Sequence, residues 1–539
     1  MKVLILTAGV GSKLGDLTKY MNKAMIKIGK KPVISYIIEQ YPSETEYYVE
    51  LGYQGEHIKE FLNIAYPDRN ITYIDVDNYD GKGSSQIYSI SCAKEYLQSP
   101  FIMNDCDSIC KYMTNINNID SDFICGYDTS KASGHVEYNT YNVNIANYVT
   151  MMYDKASVFN PMYTYIGICG IKDFRYFWGC VSEALDREDL KSDFDLFRAY
   201  YSNLKHVTVD DWTDTGSIDS IMNARKKFDD SLDILYKNNQ SIFIINDKVI
   251  KYFTEVGITK KLKKRASLLD KFLPCIIDVT EHFFSYKFVD GHNSIEYMNP
   301  KRFNNMLYHF YNENLWSDFY VGQDDTIIEK FKKSCDKFYV EKTLRRVNDF
   351  KNKYKVNEDE DITINGVFIP KEYTIEYMLE LMTHLNSYKS LIPTNWHGDF
   401  TLENIIYSKP NSYTLIDYRD SFGDFVYWGD CNYDFAKMNH NIEFNFDSAI
   451  NHKYKFTKTG NEIEYYMEGN IEVYKCKTVL KDFVMQNFKT SFSYIEFMTG
   501  LIWVNMSPLH QMSDLPLLLF YMGKLRMYEA LCELGILKK

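Results

Sequence analysis

The stretch "LTAGVGSKLGDLTKYMNKAMIKIGKKPVISYIIEQ", Leu6 to Gln40, leaves one apolar run and enters another. The run before it, "KVLILTA", is short and aliphatic, as a buried strand is. The run after it places Val33, Ile34, Ile37 and Ile38 on one face of a helix. Between them stand Gly9, Gly11 and Gly15, with Lys13 and Lys23. A glycine turn between a strand and a helix lets backbone N–H groups approach a triphosphate, and lysines add point charges. Leu6, Ala8, Gly9, Gly11 and Ser12 are therefore candidate nucleotide contacts, with Lys13 and Lys23 as candidate catalytic cations. A glycine turn alone is an ordinary way to join a strand to a helix. The paired lysines and the "IGKKPVISYII" behind them make this one specific.

The same alternation continues to about residue 225. "EYYVELGY", "ITYIDVD", "PFIMND" and "DFICGYD" read as strands, and "HIKEFLNIAY" and "IYSISCAKEYL" as helices between them. This pattern predicts an α/β domain, a mostly parallel sheet with helices on both faces. A polar, charged tract, "NARKKFDDSLDILYKNN", follows, and a linker is expected at 226–238. "SIFIINDKVIKYF" then reads as a hairpin. Two later hairpins are expected at Asn365-Gly366 and Gly460-Asn461, in a largely helical remainder that runs to residue 539.

The opening stretch resembles the sugar-phosphate and phosphocholine nucleotidylyltransferases, whose signature runs roughly AGxGxR…PK with a GKPLI-like segment behind it. The resemblance covers residues 1–225 and implies a Rossmann-like fold. Lys13 stands where the family usually has Arg, which loses a bidentate fork but keeps the charge. Met21-Asn22 precede Lys23 where Thr-Pro is usual. "PFIMNDCDSI" carries Asp105 and Asp107, and "DDWTDTGS" carries Asp211 and Asp214. The resemblance makes Asp107 and Asp214 the Mg²⁺ ligands, and attack of a phosphate oxygen on an α-phosphorus does call for a metal. "DGKGSSQIYS", with Gly83 and Ser84, matches the family's loop facing base and substrate. Lys155 resembles its acceptor-phosphate lysine, although a solvated surface lysine is as good a reading of that residue alone.

A second motif set lies far downstream. "NWHGDFTLENIIYS", Asn395 to Ser408, places an Asn five positions after an Asp, and "YTLIDYRDSFGD" adds Asp417 after an apolar strand. Phosphoryl transfer to a hydroxyl uses a carboxylate near that hydroxyl, plus an amide and a carboxylate on Mg²⁺. This set resembles the aminoglycoside and choline kinases, and the resemblance implies an α+β protein-kinase-like domain over 239–539. It makes Asp399 the base, Asn404 and Asp417 metal ligands, Lys251 of "DKVIKYF" the ATP-binding lysine, and His397 a loop support. "GDCNYDFAKM", with Asp430 and Asp434, resembles the family's downstream structural segment. No clear glycine-rich loop precedes Lys251, and Arg419 and Asp420 are unusual after Asp417. His510 in "NMSPLHQM" reads as a core or capping histidine.

Composition narrows the partners. A net charge of −12 excludes a general nucleic-acid binder, which needs a basic surface. Eleven Cys form no CxxC pair, which points to reduced thiols. No apolar run reaches the roughly 18 residues of a membrane helix. "MKVLILTAG" reads as a first strand rather than a leader, so a cytoplasmic protein is expected. Two sites on one chain suggest consecutive steps on a small alcohol: phosphorylation by ATP, then activation of the phosphate by an NTP, with CTP the first choice, as in capsule and other surface-glycan precursors. Mg²⁺ is the expected cofactor. Two alternatives are a transferase with a non-catalytic kinase-like scaffold and a hexose-1-phosphate uridylyl- or thymidylyltransferase. The alcohol is open among choline, ethanolamine, a polyol and a sugar. Choline would need an aromatic cage, for which Trp316, Trp428 and Trp503 are available, though such residues are more often core.

Overall fold

A computed structural model of the chain describes residues 1–110, 119–132, 137–155, 161–228, 239–318, 325–384, 392–409, 412–444, 446–510 and 512–538. The described residues fall into two compact units, one of 1–228, 239–256 and 278–286, the other of 257–277 and 287–538.

The first unit is built on a nine-stranded mixed sheet. Lys2–Leu6 lies at its centre, parallel to Glu46–Leu51 on one side and to Phe101–Asp105 on the other. Asn70–Asp75 extends the parallel part, and Tyr163–Ile171 runs antiparallel to Phe101–Asp105. Alternation along the central strand sends its side chains to opposite faces. Val3 and Ile5 join a core with Ile34, Ile37, Phe61 and Leu62, while Leu4 and Leu6 join one with Ile87, Ile90, Phe177 and Trp178. A strand buried on both faces needs the unbroken aliphatic run that its sequence has. The unit is Rossmann-like, with the sheet more mixed than the alternation suggested. Antiparallel pairings of Tyr163–Ile171 with Phe123–Asp128 and Thr140–Val143 account for that.

The domain edge differs from the expected one. Residues 229–238, most of the proposed linker, lie outside those described. The hairpin of Gln240–Ile245 and Lys248–Phe253, assigned from sequence to the second domain, belongs with the first unit. Its inward face explains why: Phe243 meets Phe61 edge to face, with ring centroids 5.4 Å apart, and Tyr252 meets His57 at 5.2 Å. Ile244 N also donates to Lys30 O at 2.8 Å.

The second unit is mainly helical around one large apolar core. Its longest helices, Leu515–Glu533 and Phe492–Met506, pack on each other where Gly500 and Gly523 meet. The two expected hairpins are present, turning at Asn365-Gly366 and Gly460-Asn461, with φ of 47° at Asn365 and 61° at Gly460. They combine into one four-stranded sheet. No helix among the described residues is long and apolar enough to cross a membrane.

Candidate functional site

In the first unit the central strand ends at Leu6 and leads into the loop Thr7–Gly11. Gly11 adopts φ 71°, the left-handed region, and a Cβ there would stand 3.2 Å from Lys23 Cβ. Glycine thus lets the loop lie against Lys23. Gly9 and Ser12 are exposed, Leu6 and Ala8 buried beneath them. Asn22, which the sequence reading noted only as a departure, holds the assembly together. Its side chain donates to Thr7 O (2.8 Å) and Tyr53 O (2.7 Å), and accepts from Ala24 N (2.8 Å). Asn22 is fully buried, and it caps the short helix that begins with Lys23.

Lys23 Nζ lies 3.3 Å from Asp107 Oδ2. Burial opposes its charge, yet the carboxylates of Asp107 and Asp105 keep its pKa above the ordinary lysine range. Asp214 sits beside Asp107 because the strands Ser108–Cys110 and Trp212–Asp214 pair, with Asp214 opposite Ser108. A Cβ on Gly216 would come within 3.2 Å of both Asp107 Oδ2 and Asp214 Oδ1. The two carboxylates thus flank a space that a side chain at position 216 would crowd. Burial and then the Asp107 charge raise the pKa of Asp214, which also accepts from Tyr138 OH (3.0 Å) and Gly216 N (3.0 Å).

Lys155 interacts with Lys13 and lies within electrostatic range of Asp107 and Asp214. Desolvation and then the Lys13 charge lower the Lys155 pKa, while Asp107 and Asp214 oppose the change. The structure therefore brings Lys13, Lys23, Lys155, Asp107 and Asp214 together. Gly83 and Ser84 lie in the turn before the helix Gln86–Cys92, with Ser84 N donating to Gly81 O. Gln86, at that helix start, donates to Asp105 Oδ1 at 2.8 Å. Asp105 serves this tie, and Asp211 pairs with Lys227 instead of facing the site.

In the second unit the segment 395–404 is a loop fixed from below by Asp434 of the helix Cys431–Glu443. Asp434 accepts from His397 N (2.7 Å), Gly398 N (2.6 Å) and Trp316 Nε1 (3.0 Å), and burial raises its pKa to about 6. His397 Nε2 meets Ile416 O at 2.9 Å, and Asp399 N donates to His397 Nδ1 at 3.2 Å. Those contacts require a neutral ring with its proton on Nε2. Asn404 Nδ2 donates to Asp399 O (2.9 Å) and Oδ2 (3.1 Å). Asp417 follows the strand Ser412–Leu415 at φ 59°. Asp430 accepts from Tyr339 OH (2.8 Å) and caps the helix, away from Asp399.

Sequence reasoning missed Lys437, whose Nζ lies 2.8 Å from Asp399 Oδ1. Burial alone would raise the Asp399 pKa, but Lys437, then Arg419, hold it down to about 2. A carboxylate that weakly basic orients a hydroxyl better than it removes its proton. Lys251 lies in the first unit, 5.6 Å over the Tyr286 ring. Trp316 and Trp503 are core residues: the first packs on Phe400 and Phe435, the second donates to His440 Nδ1. They do not build a cage. His510 is buried at the end of the Ser507–Leu509 turn, as expected of a core histidine. Among the described residues no group of three or more His, Cys, Asp or Glu gathers to hold a metal.

No family model matches the chain. Its N-terminal region resembles nucleotidyltransferases. It is 29% identical over 109 residues to a choline-phosphate cytidylyltransferase of Streptococcus pneumoniae, covering 19% of this chain and 44% of that protein. It is 25% identical over 243 residues to a low-salt glycan biosynthesis nucleotidyltransferase, Agl11, of Haloferax volcanii, covering 42% and 65%. Other curated relatives are matched over about a quarter of their length. Among solved structures, the CTP:phosphocholine cytidylyltransferase of Streptococcus pneumoniae aligns with a TM-score of 0.35 at 15% identity, covering 42% of this chain and 98% of that one.

Proposed function

We propose that the chain is a bifunctional enzyme that phosphorylates a small alcohol with ATP and then transfers a nucleotidyl group, from CTP, to the resulting phosphomonoester. The product fits precursor synthesis for a surface glycan such as a capsule. The observation that carries the first activity is the convergence of Lys13, Lys23 and Lys155 on the Asp107/Asp214 pair. In this reading the Leu6–Ser12 loop and the Gly83-Ser84 turn hold the nucleotide, Lys13 and Lys23 bind the departing pyrophosphate, and Lys155 meets the acceptor phosphate. CTP is favoured by the cytidylyltransferase among the relatives.

Asp107 and Asp214 fit a Mg²⁺ ion. Two repelling carboxylates flank an open space, and magnesium is commonly held by one or two carboxylates with substrate phosphates completing its shell. Bound there, the ion would neutralise charge on the α-phosphate. Asn404 and Asp417 are the corresponding pair of the second site.

The kinase reading rests on the ordered loop of Asp399 and Asn404, tied to Asp434 and Lys437. There Asp399 accepts a hydrogen bond from the acceptor hydroxyl. A screen of the full chain with each NTP and a panel of phosphorylated alcohols, following pyrophosphate, tests the transferase. ADP formation with the free alcohols tests the kinase. Absence of both activities in folded protein would overturn the proposal.

A further inference from the structure

Asp399 stands at the edge of an unusual concentration of positive charge. Lys342 and Arg346 lie one turn apart on the helix Lys342–Tyr354, Lys437 lies one turn beyond Tyr433 on Cys431–Glu443, and Arg419 follows Asp417. Two of these cations share one aromatic wall. Lys342 Nζ is 3.8 Å from the centre of the Phe338 ring and 6.0 Å from that of Tyr433; the Arg419 guanidinium is 5.1 and 5.7 Å from the same rings. Arg419 is fixed there by its N–H bond to His397 O (3.0 Å) and by Nε to Gly398 O (3.2 Å), in the loop that carries Asp399. Arg346 is fixed by Asn505 O at 3.0 Å.

Among the described residues, Lys342, Arg345, Arg346 and Arg419 form no ion pair, and the Lys437–Asp399 bridge is the one anion tied to the group. Desolvation and then the charges of Arg419, Arg346, Lys437 and Arg345 lower the Lys342 pKa well below the usual range. Ring faces offset only part of the cost of crowding like charges. Such a cluster is stabilised by a bound anion, and its place beside Asp399 says which molecule brings it.

We infer that the alcohol phosphorylated at the Asp399 site carries its own anionic group, a phosphate or a carboxylate, held by Lys342, Arg346 and Arg419 against the Phe338/Tyr433 wall. This rests on the kinase reading above and narrows its acceptor, setting aside choline and ethanolamine. In the step, the acceptor hydroxyl oxygen bonds to the γ-phosphorus of ATP as the bond to the β–γ bridging oxygen breaks. ADP leaves, and the hydroxyl proton, which Asp399 orients, passes to water.

The test uses the full chain with ATP and Mg²⁺, measuring ADP and the phosphorylated product with glycerol 3-phosphate, glycerate, glycerol and choline. The expected result is a kcat/KM at least tenfold higher for the two anionic acceptors, their ratio telling phosphate from carboxylate. Lys342→Gln and Arg346→Gln should raise the acceptor KM at least tenfold, leave the KM for ATP and pyrophosphate release at the first site unchanged, and Lys342→Arg should restore binding. Preference for glycerol or choline would overturn the inference while leaving the kinase reading intact. So would variants that raise the KM for ATP alone, since the cluster would then serve the nucleotide. If no acceptor is phosphorylated, the kinase reading falls, and calorimetry with glycerol 3-phosphate decides the anion site by itself. Binding that both glutamine variants lose sustains it, and no binding to the parent chain overturns it.

Discussion

Lys437 Nζ and Asp399 Oδ1 are 2.8 Å apart, the lysine reaching from a helix 38 positions downstream. This bridge keeps the loop carboxylate ionised, while Asn404 Nδ2 donates to its other oxygen at 3.1 Å. Lys437→Met should reduce ADP formation roughly 10²-fold, the scale of losing one placed charge in a buried site. Lys437→Arg, which keeps the charge, should lose much less. Steady-state kinetics on both variants, with pyrophosphate release as a control for folding, checks this.

Asn22 should matter to stability as well as to turnover. Asn22→Ala removes two donors from buried carbonyls and the cap on Ala24 N. At roughly 1–3 kcal/mol for each buried group left unsatisfied, the first unit should lose about 3 kcal/mol. Its thermal midpoint should fall by about 5–10 °C. Because Lys23 sits next in sequence, the KM for the nucleotide should rise too. Calorimetry and kinetics on the variant report the two effects separately.

His397 sets a dependence on pH. Burial lowers its pKa from 6.5 to about 4, so the unfolded chain binds more protons than the folded one between those values. Stability then rises with pH across this window, is complete above about 6.5, and is lost as pH falls toward 4. The full effect of this one group is about 3 kcal/mol. The stability gap between the parent chain and His397→Gln, from denaturant titrations of the second unit's transition, should narrow as pH drops from 7 to 4.

Nucleotide preference tests the finer reading of the first site. In a competition of CTP, UTP, dTTP, ATP and GTP, CTP should give most of the product. Preference for UTP or dTTP would instead fit a hexose-1-phosphate enzyme.

The parts of the fold and sites legible in sequence are those where local pattern and chemistry coincide. Lys2–Leu6 is aliphatic without a break because it is buried on both faces. Gly11 and Lys23 are close in sequence and in space. Asp107 and Asp214 each end or follow a short strand, so their pairing needed only the resemblance in order. Three features were not legible. Lys437 lies 38 positions beyond Asp399 on the helix Cys431–Glu443, and nothing in the local sequence shows that the fold turns it toward that carboxylate. The 240–253 hairpin was placed with its sequence neighbours, because nothing local shows that Phe243 fits against Phe61. Lys342 and Arg346 look like ordinary charges on an amphipathic helix until Arg419 is found over the same two rings.

Two separate phosphoryl chemistries on one chain is the central claim, and crossed single-site variants test it most directly. Asp107→Ala and Asp399→Asn, each shown to be folded, are assayed side by side for pyrophosphate release and for ADP formation. The account predicts that Asp107→Ala loses pyrophosphate release by at least about 10²-fold with ADP formation retained, and that Asp399→Asn does the reverse. Loss of both reactions in either variant, or pyrophosphate release that survives Asp107→Ala, would contradict it.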